Sequence, residues 1–142
     1  MTVEAKVTYF TALEDVDWAR LKQDLAADAF DNGRTASQLE RSFGNSFACV
    51  FARCDDHVIG TARALSDGVC NAYVIDVWTQ KRYRRQGIAT AMMDRLLMRL
   101  SGQHVYLFTD DAMPFYQRLG FQVQGVGMSN VVGEWLKTHG LS

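Results

Sequence analysis

The stretch that decides the fold is VWTQKRYRRQGIAT, residues 77–90. Val77 and Trp78 close a run rich in β-branched and aromatic residues, which predicts the end of a strand. Beyond Gly87, apolar residues recur every three or four positions as far as Leu100, which predicts an amphipathic helix. The basic loop between them, residues 80–85, therefore leads into a helix N-terminus, where the first amides have no partner within the helix.

This helix start has the chemistry of an anion site. Unpaired amides and the positive end of the helix dipole attract an anion, provided that no bulky side chain blocks the approach. Gly87 and Ala89 leave the approach open, while Arg84 and Arg85 add positive charge. The combination suits a pyrophosphate. Neither GxxxxGK[ST] nor GxGxxG occurs, so a P-loop or dinucleotide fold has no support.

The sequence before residue 77 predicts four strands and two helices. Alternating or β-branched patterns indicate the strands, at residues 6–10, 47–54, 58–65 and 71–78. Helical spacing indicates one helix that begins after the N-cap residue Asp17 and a shorter one at 37–43. The second and third strands are joined by a short acidic turn at Asp55-Asp56, so we expect an antiparallel hairpin.

After the central helix, the sequence predicts a buried strand at 104–108, a helix with Pro114 in its first turn, and a late strand at 121–126. A parallel crossover is expected from the strand at 71–78, through the helix, to the strand at 104–108. The order of elements predicts a mixed α/β (α+β) domain.

The composition is that of one globular domain spanning 1–142. Of its residues, 48% are hydrophobic and 22% are charged, and the formal net charge of −1 gives no electrostatic argument for nucleic acid or an anionic membrane. No signal peptide or membrane span is visible. The three cysteines form no CxxC and the three histidines have no metal-ligand spacing, so neither a disulfide framework nor a metal is expected. We expect a soluble, cytoplasmic protein.

Two motifs resemble those of a known family. RRQGIA at 84–89 is similar to the [Q/R]-x-x-G-x-[G/A] signature of the GNAT superfamily of N-acetyltransferases, and FYQRLGF at 115–121 resembles its second hallmark, F-Y-x-x-x-G-F. The predicted elements around each motif agree with that family. The resemblance implies the GNAT-like acyl-CoA N-acyltransferase fold, a mixed, mostly antiparallel sheet with helices on both faces.

The resemblance also implies a reaction and its site. The donor would be acetyl-coenzyme A (acetyl-CoA), and the acetyl group would pass directly to a primary amine. By the family pattern, the backbone of Val77, Trp78 and Thr79 would hold the pantetheine arm like an added strand. Tyr116 would protonate the departing thiolate. The pyrophosphate would be held at the helix start by Arg84, Arg85, Gln86, Gly87, Ile88, Ala89 and Thr90.

Asp76 is the candidate for helping the amine to lose its proton, directly or through water. It lies on the strand expected to carry the acetyl group, where some family members have a similar segment. A carboxylate among hydrophobic residues is costly unless it is paired, so a satisfied structural carboxylate is the alternative. Tyr73 on the same strand is the second candidate.

Several functional alternatives stay open. The basic loop contains Tyr83 and could contact nucleic acid, although an anionic cofactor explains its charge at lower cost. A non-catalytic member could sense acyl-CoA or regulate a partner. The acceptor, shaped by residues 17–43 and 128–141, could be a small aromatic or aliphatic amine or a protein amine. Trp18, Phe30 and Phe43 could line its pocket or belong to the core. A homodimer is also open, because many relatives are dimers.

Overall fold

The computed structural model describes residues 6–137. The chain forms two compact units, with the boundary between Phe108 and Thr109. Within the described residues, the first unit contains the whole sheet and three helices, and the second contains one short helix. The prediction of one domain over 1–142 stays a prediction.

The elements follow the predicted order up to the last helix. The strands are β1 (Val7–Phe10), β2 (Ala48–Cys54), β3 (His57–Ser66), β4 (Asn71–Thr79) and β5 (His104–Tyr106). The helices are α1 (Trp18–Ala27), α2 (Ala36–Gly44), α3 (Ile88–Met98) and α4 (Met113–Arg118), with 3-10 turns at Leu13–Asp15 and Lys81–Tyr83.

The sheet is mixed and mostly antiparallel, as predicted. Its strands lie in the order β1-β2-β3-β4-β5, and only β4 and β5 run parallel. That parallel pairing joins residues 71–73 to residues 104–106 and ends there. Beyond Tyr73, β4 therefore pairs with β3 along one edge, while no described strand pairs with its other edge. The end of β4 thus has backbone groups available on one side.

Helices cover both faces of the sheet. On one face the Phe51 ring packs at a tilt against Phe43 of α2 and contacts Trp18 of α1 edge-on. On the other face Met92 of α3 lies against Gly60 of β3. The first helix pair forms one hydrophobic cluster with the sheet, and Trp18 and Phe30 pack against it. Phe43 is 1% exposed, so these three aromatic residues belong to the core.

Local capping explains where the first two helices begin. The carboxylate of Asp17 accepts a hydrogen bond from the Arg20 amide at 3.1 Å, which confirms the predicted N-cap. Thr35 and Gln38 form a capping box at the start of α2, in which each side chain accepts from the other residue's amide. Both starts are therefore specified within four residues of sequence.

Two expectations about the strands after α3 are wrong. The strand predicted at 104–108 ends at Tyr106, and Phe108 is 70% exposed rather than buried, because β5 is an edge strand paired over three residues only. The late strand predicted at 121–126 is absent. The segment at 121–126 alternates in sequence, but no described strand pairs with it. Gly125 has φ +62°, which is outside the extended conformation of a strand.

Candidate functional site

The basic loop is followed by a helix start with open amides. Gly87 is the N-cap of α3 with φ +80°, a left-handed conformation that suits glycine. The first hydrogen bond of α3 runs from the Ala91 amide to the Gly87 carbonyl at 3.0 Å. The amides of Ile88, Ala89 and Thr90 precede it, so they are the donors that a helix cannot satisfy internally.

Space in front of this helix start is open. A Cβ built on Gly87 meets no protein atom within 4 Å. Arg85, also left-handed with φ +64°, and Gln86 are exposed beside it. An anion can therefore approach the first amides of α3 without displacing a side chain.

Arg84, expected to contribute charge to the phosphate site, also has partners within the protein. Its Nε donates to the Thr79 carbonyl at 2.9 Å, and one terminal nitrogen lies 3.7 Å from the Asp28 carboxylate. The guanidinium therefore connects the basic loop to the end of β4. The role of Arg84 as a phosphate ligand stays a prediction.

Asp28, immediately after α1, fixes the loop from the other side. Its Oδ2 accepts from Trp78 Nε1 at 2.9 Å and from the Lys81 amide at 3.2 Å. One carboxylate thus ties the C-terminal end of α1 to the end of β4 and to the loop. Sequence reasoning missed Asp28 because its partners lie 50 residues or more away and no local motif marks them.

The end of β4 contains a β-bulge. Trp78 pairs with Thr61 and Ile75 pairs with Arg63, so Asp76 and Val77 together oppose the single residue Ala62. Asp76 takes a left-handed conformation with φ +56°. Such a bulge changes the direction of the strand just before Val77, Trp78 and Thr79, the residues expected to hold the donor.

Asp76 is buried in an ion cluster. Arg34 donates two parallel hydrogen bonds to its two carboxylate oxygens, at 3.0 and 2.9 Å, and Arg63 Nε donates a third at 2.6 Å. We call these three residues the Asp76 cluster. All of them are less than 10% exposed. This geometry favours the satisfied structural carboxylate over the base, and the catalytic role of Asp76 stays a prediction.

The two arginines also set the charge state of Asp76. Burial by itself would raise the pKa of this carboxyl, but the hydrogen bonds and positive charges of Arg34 and Arg63 outweigh burial and lower the pKa below its ordinary value. A carboxylate with a low pKa and occupied oxygens accepts a proton poorly. Sequence reasoning missed both arginines, because Arg34 reaches Asp76 across 42 residues and no motif contains it.

Tyr116 lies in α4, within the second unit. Its ring contacts Phe115 and Phe121 edge-on, so the three aromatic residues of the FYQRLGF motif pack together. The side chain is half-buried, and burial raises the pKa of the phenol. Tyr116 is therefore protonated at neutral pH.

The position of Tyr73, the second candidate for the base, adds no described contact that points to proton transfer. Tyr73 contacts Phe108 edge-on and has no carboxylate partner among the described residues. No cluster of three potential metal ligands occurs in residues 6–137. The helices described there are also too short or too polar to cross a bilayer.

Comparison with known proteins agrees with the geometry. Residues 10–121 match the model of the acetyltransferase (GNAT) family. The chain is 29% identical over 138 residues to "Probable acetyltransferase TAP2" and 28% identical over 133 residues to "Histone acetyltransferase TAP1", both from Glycine max. These alignments cover 90% and 89% of this chain but 52% and 54% of the relatives, so the chain spans about half their length.

Solved structures show the same fold. A putative acetyltransferase from Deinococcus radiodurans superimposes with a TM-score of 0.80 at 32% identity, covering 92% of this chain and 93% of that one. A predicted acetyltransferase from Clostridium acetobutylicum, solved with acetyl-CoA, gives a TM-score of 0.67 at 22% identity, with 89% and 96% covered. With the family motif at the start of α3 and the family model matched over most of its length, the chain belongs to the GNAT family of acetyltransferases.

Proposed function

We propose that this protein is an N-acetyltransferase that moves the acetyl group of acetyl-CoA directly to the nitrogen of a primary amine. The observation that carries the proposal is the open N-terminus of α3 beside the edge of β4 with which no strand of residues 6–137 pairs beyond Tyr73. Acetyl-CoA fits both features, because it has an anionic pyrophosphate and an amide-containing arm. A member of the same fold was solved with acetyl-CoA.

The donor would be bound by backbone groups. The first amides of α3 would donate to the pyrophosphate, with Arg85 adding charge from the left-handed turn before Gly87. The edge of β4 at Val77–Thr79 would pair with the pantetheine amides as a further strand does. Asp28 and Arg84 hold the loop and the end of β4 in one arrangement, so little ordering is needed on binding.

In the proposed reaction, the amine nitrogen forms a bond to the thioester carbonyl carbon and the bond from that carbon to sulfur breaks. Tyr116 gives its phenolic proton to the departing sulfur. The nitrogen loses one proton, for which the sequence offers Asp76 or Tyr73, and the pairing of Asp76 favours a route through water or Tyr73. Binding both reactants side by side supplies much of the rate enhancement.

We propose a small-molecule amine as the acceptor and a cytoplasmic location. A protein amine is the alternative, because one relative is named a histone acetyltransferase. A monomer or a homodimer fits the proposal equally well.

A second candidate function is a sensor that binds acyl-CoA without turnover. The retained tyrosine of the second motif favours the enzyme, since binding alone gives no reason for a phenol there. Nucleic-acid binding is less favoured, because Arg84 of the basic loop is already engaged by Thr79 and Asp28. It predicts salt-sensitive RNA binding that acetyl-CoA does not displace.

A matched pair of glycine variants tests the donor site. Gly87 and Gly102 have φ +80° and +84°, and a Cβ on either meets no protein atom within 4 Å. Alanine should therefore cost each position a similar strain of ~1 kcal/mol. Only Gly87→Ala puts a methyl group where the pyrophosphate would lie, so calorimetry should show acetyl-CoA bound about tenfold more weakly by that variant alone. Equal affinities in the two variants would contradict the site.

A further inference from the structure

The bulge in β4 needs support from outside the strand. Asp76 is not glycine, yet its φ is +56°, a conformation that costs an L-residue free energy which the surroundings have to supply. The bulge consists of Asp76 and Val77, so it sets where the backbone groups of β4 that follow Asp76 point. Whatever holds Asp76 in this conformation also aims the proposed donor edge.

The Asp76 cluster provides that support. Arg34 donates hydrogen bonds to both carboxylate oxygens, which fixes the plane of the Asp76 carboxylate. Arg63, on β3, donates to one of the two oxygens. Thr61 Oγ1 donates to the Asp76 carbonyl at 2.8 Å, so the backbone of the bulge is held as well. Strand β3, through Arg63 and Thr61, and the segment between α1 and α2, through Arg34, therefore both contact Asp76.

Each arginine is itself anchored. Arg34 Nε donates to the Asp31 carbonyl at 3.1 Å. One terminal nitrogen of Arg63 lies 3.4 Å from the Ser42 carbonyl and 3.3 Å from Ser46 Oγ, at the end of α2. Neither guanidinium can move independently of the α1–α2 region, which we expect to shape the acceptor site. The cluster thus links the acceptor side of the fold to the donor edge.

We infer that Arg34 and Arg63 are positioning residues for acetyl transfer, which act through Asp76 to hold the β4 bulge and aim the donor edge. This inference rests on the proposed function. It assigns Asp76 a positioning role in place of the role of general base, since all three members of the Asp76 cluster would hold the bulge in β4. The basic loop is held separately, by Asp28 and Arg84, so the two halves of the donor site can be perturbed separately.

The test compares Arg34→Gln, Arg63→Gln and Asp76→Asn with a control arginine. Arg53→Gln is the control, because Arg53 lies on a strand as Arg63 does and donates to a backbone carbonyl, that of Asp15, but has no carboxylate partner within residues 6–137. Each cluster variant should lower kcat about tenfold or more, while the KM for acetyl-CoA changes less than about threefold because the loop at α3 is intact. The control should keep the wild-type kcat.

A double variant and a pH–rate profile distinguish a positioning role from a role in proton transfer. Because the three residues act through the same set of hydrogen bonds, the double variant of Arg34→Gln and Asp76→Asn should be no slower than the slower single variant. The acidic limb of the pH–rate profile should persist in Asp76→Asn. Loss of that limb in Asp76→Asn, together with normal kcat in both arginine variants, would overturn the inference in favour of a catalytic base.

Hydrogen exchange tests the bulge without relying on turnover. Amides of residues 74–79 should exchange at least about tenfold faster in Arg34→Gln than in wild type, with residues 88–98 unchanged. Unchanged exchange at 74–79 would overturn the inference even if the enzyme is active. If the wild type acetylates no amine, the proposed function fails, but the exchange rates still show whether the Asp76 cluster holds the bulge in β4. Should the arginine variants not fold, Thr61→Val removes one hydrogen bond to the bulge. It should likewise lower kcat with little change in the KM for acetyl-CoA and should speed exchange at residues 74–79.

Discussion

At the residue scale, the proposed chemistry depends most on the phenol of Tyr116. Tyr116→Phe removes the proton donor and keeps the aromatic packing with Phe115 and Phe121. We expect kcat to fall about 100-fold, because proton transfer from a positioned side chain contributes at least that much. The dissociation constant of acetyl-CoA should change less than about twofold, since the proposed donor contacts come from β4 and α3.

The control for this variant is Tyr9→Phe, which removes a hydroxyl from β1, the strand at the other end of the sheet order from β4 and β5. It should leave kcat unchanged. Steady-state kinetics and calorimetry measure the two quantities. Wild-type turnover in Tyr116→Phe would remove Tyr116 from the mechanism.

The ionisation of Asp76 predicts how stability depends on pH. The folded-state pKa of this carboxyl lies below its ordinary value of 3.8, so its contribution to stability is fully present above about pH 4 and is lost as the pH falls through the folded-state pKa. Asp76→Asn removes the charge that balances two buried arginines and should lower the free energy of unfolding by ~3 kcal/mol at pH 7. The difference from wild type should shrink below pH 3.8.

Urea unfolding at pH 7 and at pH 3 measures this difference. Asp94→Asn, at an exposed position on α3, serves as the control and should change stability by less than ~0.5 kcal/mol at either pH. A stability difference for Asp76→Asn that is the same at both pH values would contradict the assignment of a lowered pKa.

Sequence reasoning succeeds at residues whose role follows from neighbouring residues and fails at those defined by distant partners. Gly87 was predictable, because a helix N-terminus that admits an anion requires a small residue there. Asp76 was identified as costly to bury, and the structure shows why the cost is met. Arg34, Arg63 and Asp28 were missed, since an arginine or aspartate outside a motif gives no sign of a partner 42 or 50 residues away.

At the element scale, the packing of α3 on the sheet depends on one close approach. A Cβ on Gly60 of β3 would lie 2.9 Å from the terminal methyl of Met92 and 3.2 Å from the Trp78 carbonyl oxygen. The methionine can move, but the backbone of β4 cannot. Gly60→Ala should therefore lower the free energy of unfolding by ~1–3 kcal/mol, as overpacked cores do.

Gly44→Ala is the matched control, because a Cβ at the end of α2 meets no atom within 4 Å. It should be neutral or stabilising by a few tenths of a kcal/mol, since alanine restricts the unfolded chain. Thermal and urea unfolding measure both variants. Equal stability of Gly60→Ala and wild type would show that α3 does not approach the sheet this closely.

Elements were predictable where local signals and tertiary partners agree. The N-cap at Asp17 and the hairpin of β2 and β3 follow from short stretches of sequence, and the structure contains both. The strand predicted at 121–126 failed because alternation describes one strand, whereas a strand exists only with a neighbour to pair with. The shortness of β5 has the same cause, since the length of β4–β5 pairing is decided between the strands.

At the scale of the whole molecule, the order of elements was enough to predict a mixed α/β domain, and the family resemblance implied the mostly antiparallel sheet with helices on both faces. The parallel pairing of β4 with β5 was likewise expected from the crossover through α3, whereas the resemblance added the expectation that the end of β4 holds the pantetheine arm like an added strand. The acceptor was not predictable, because amine recognition depends on side chains brought together from separate segments. The Glycine max relatives do not supply the acceptor either, because this chain spans about half their length, so the acceptor stays a proposal.

The measurement that tests the central claim most directly is coenzyme A release from acetyl-CoA, followed by chromatography in the presence of an amine panel. Chromatography is preferable to a thiol reagent, because all three cysteines are free thiols. The panel should contain aromatic amines, aliphatic amines and a lysine-containing histone peptide. The proposal predicts release that depends on one amine class and drops about 100-fold in Tyr116→Phe. Tight acetyl-CoA binding with no release above background from any amine would contradict the enzyme and support the sensor.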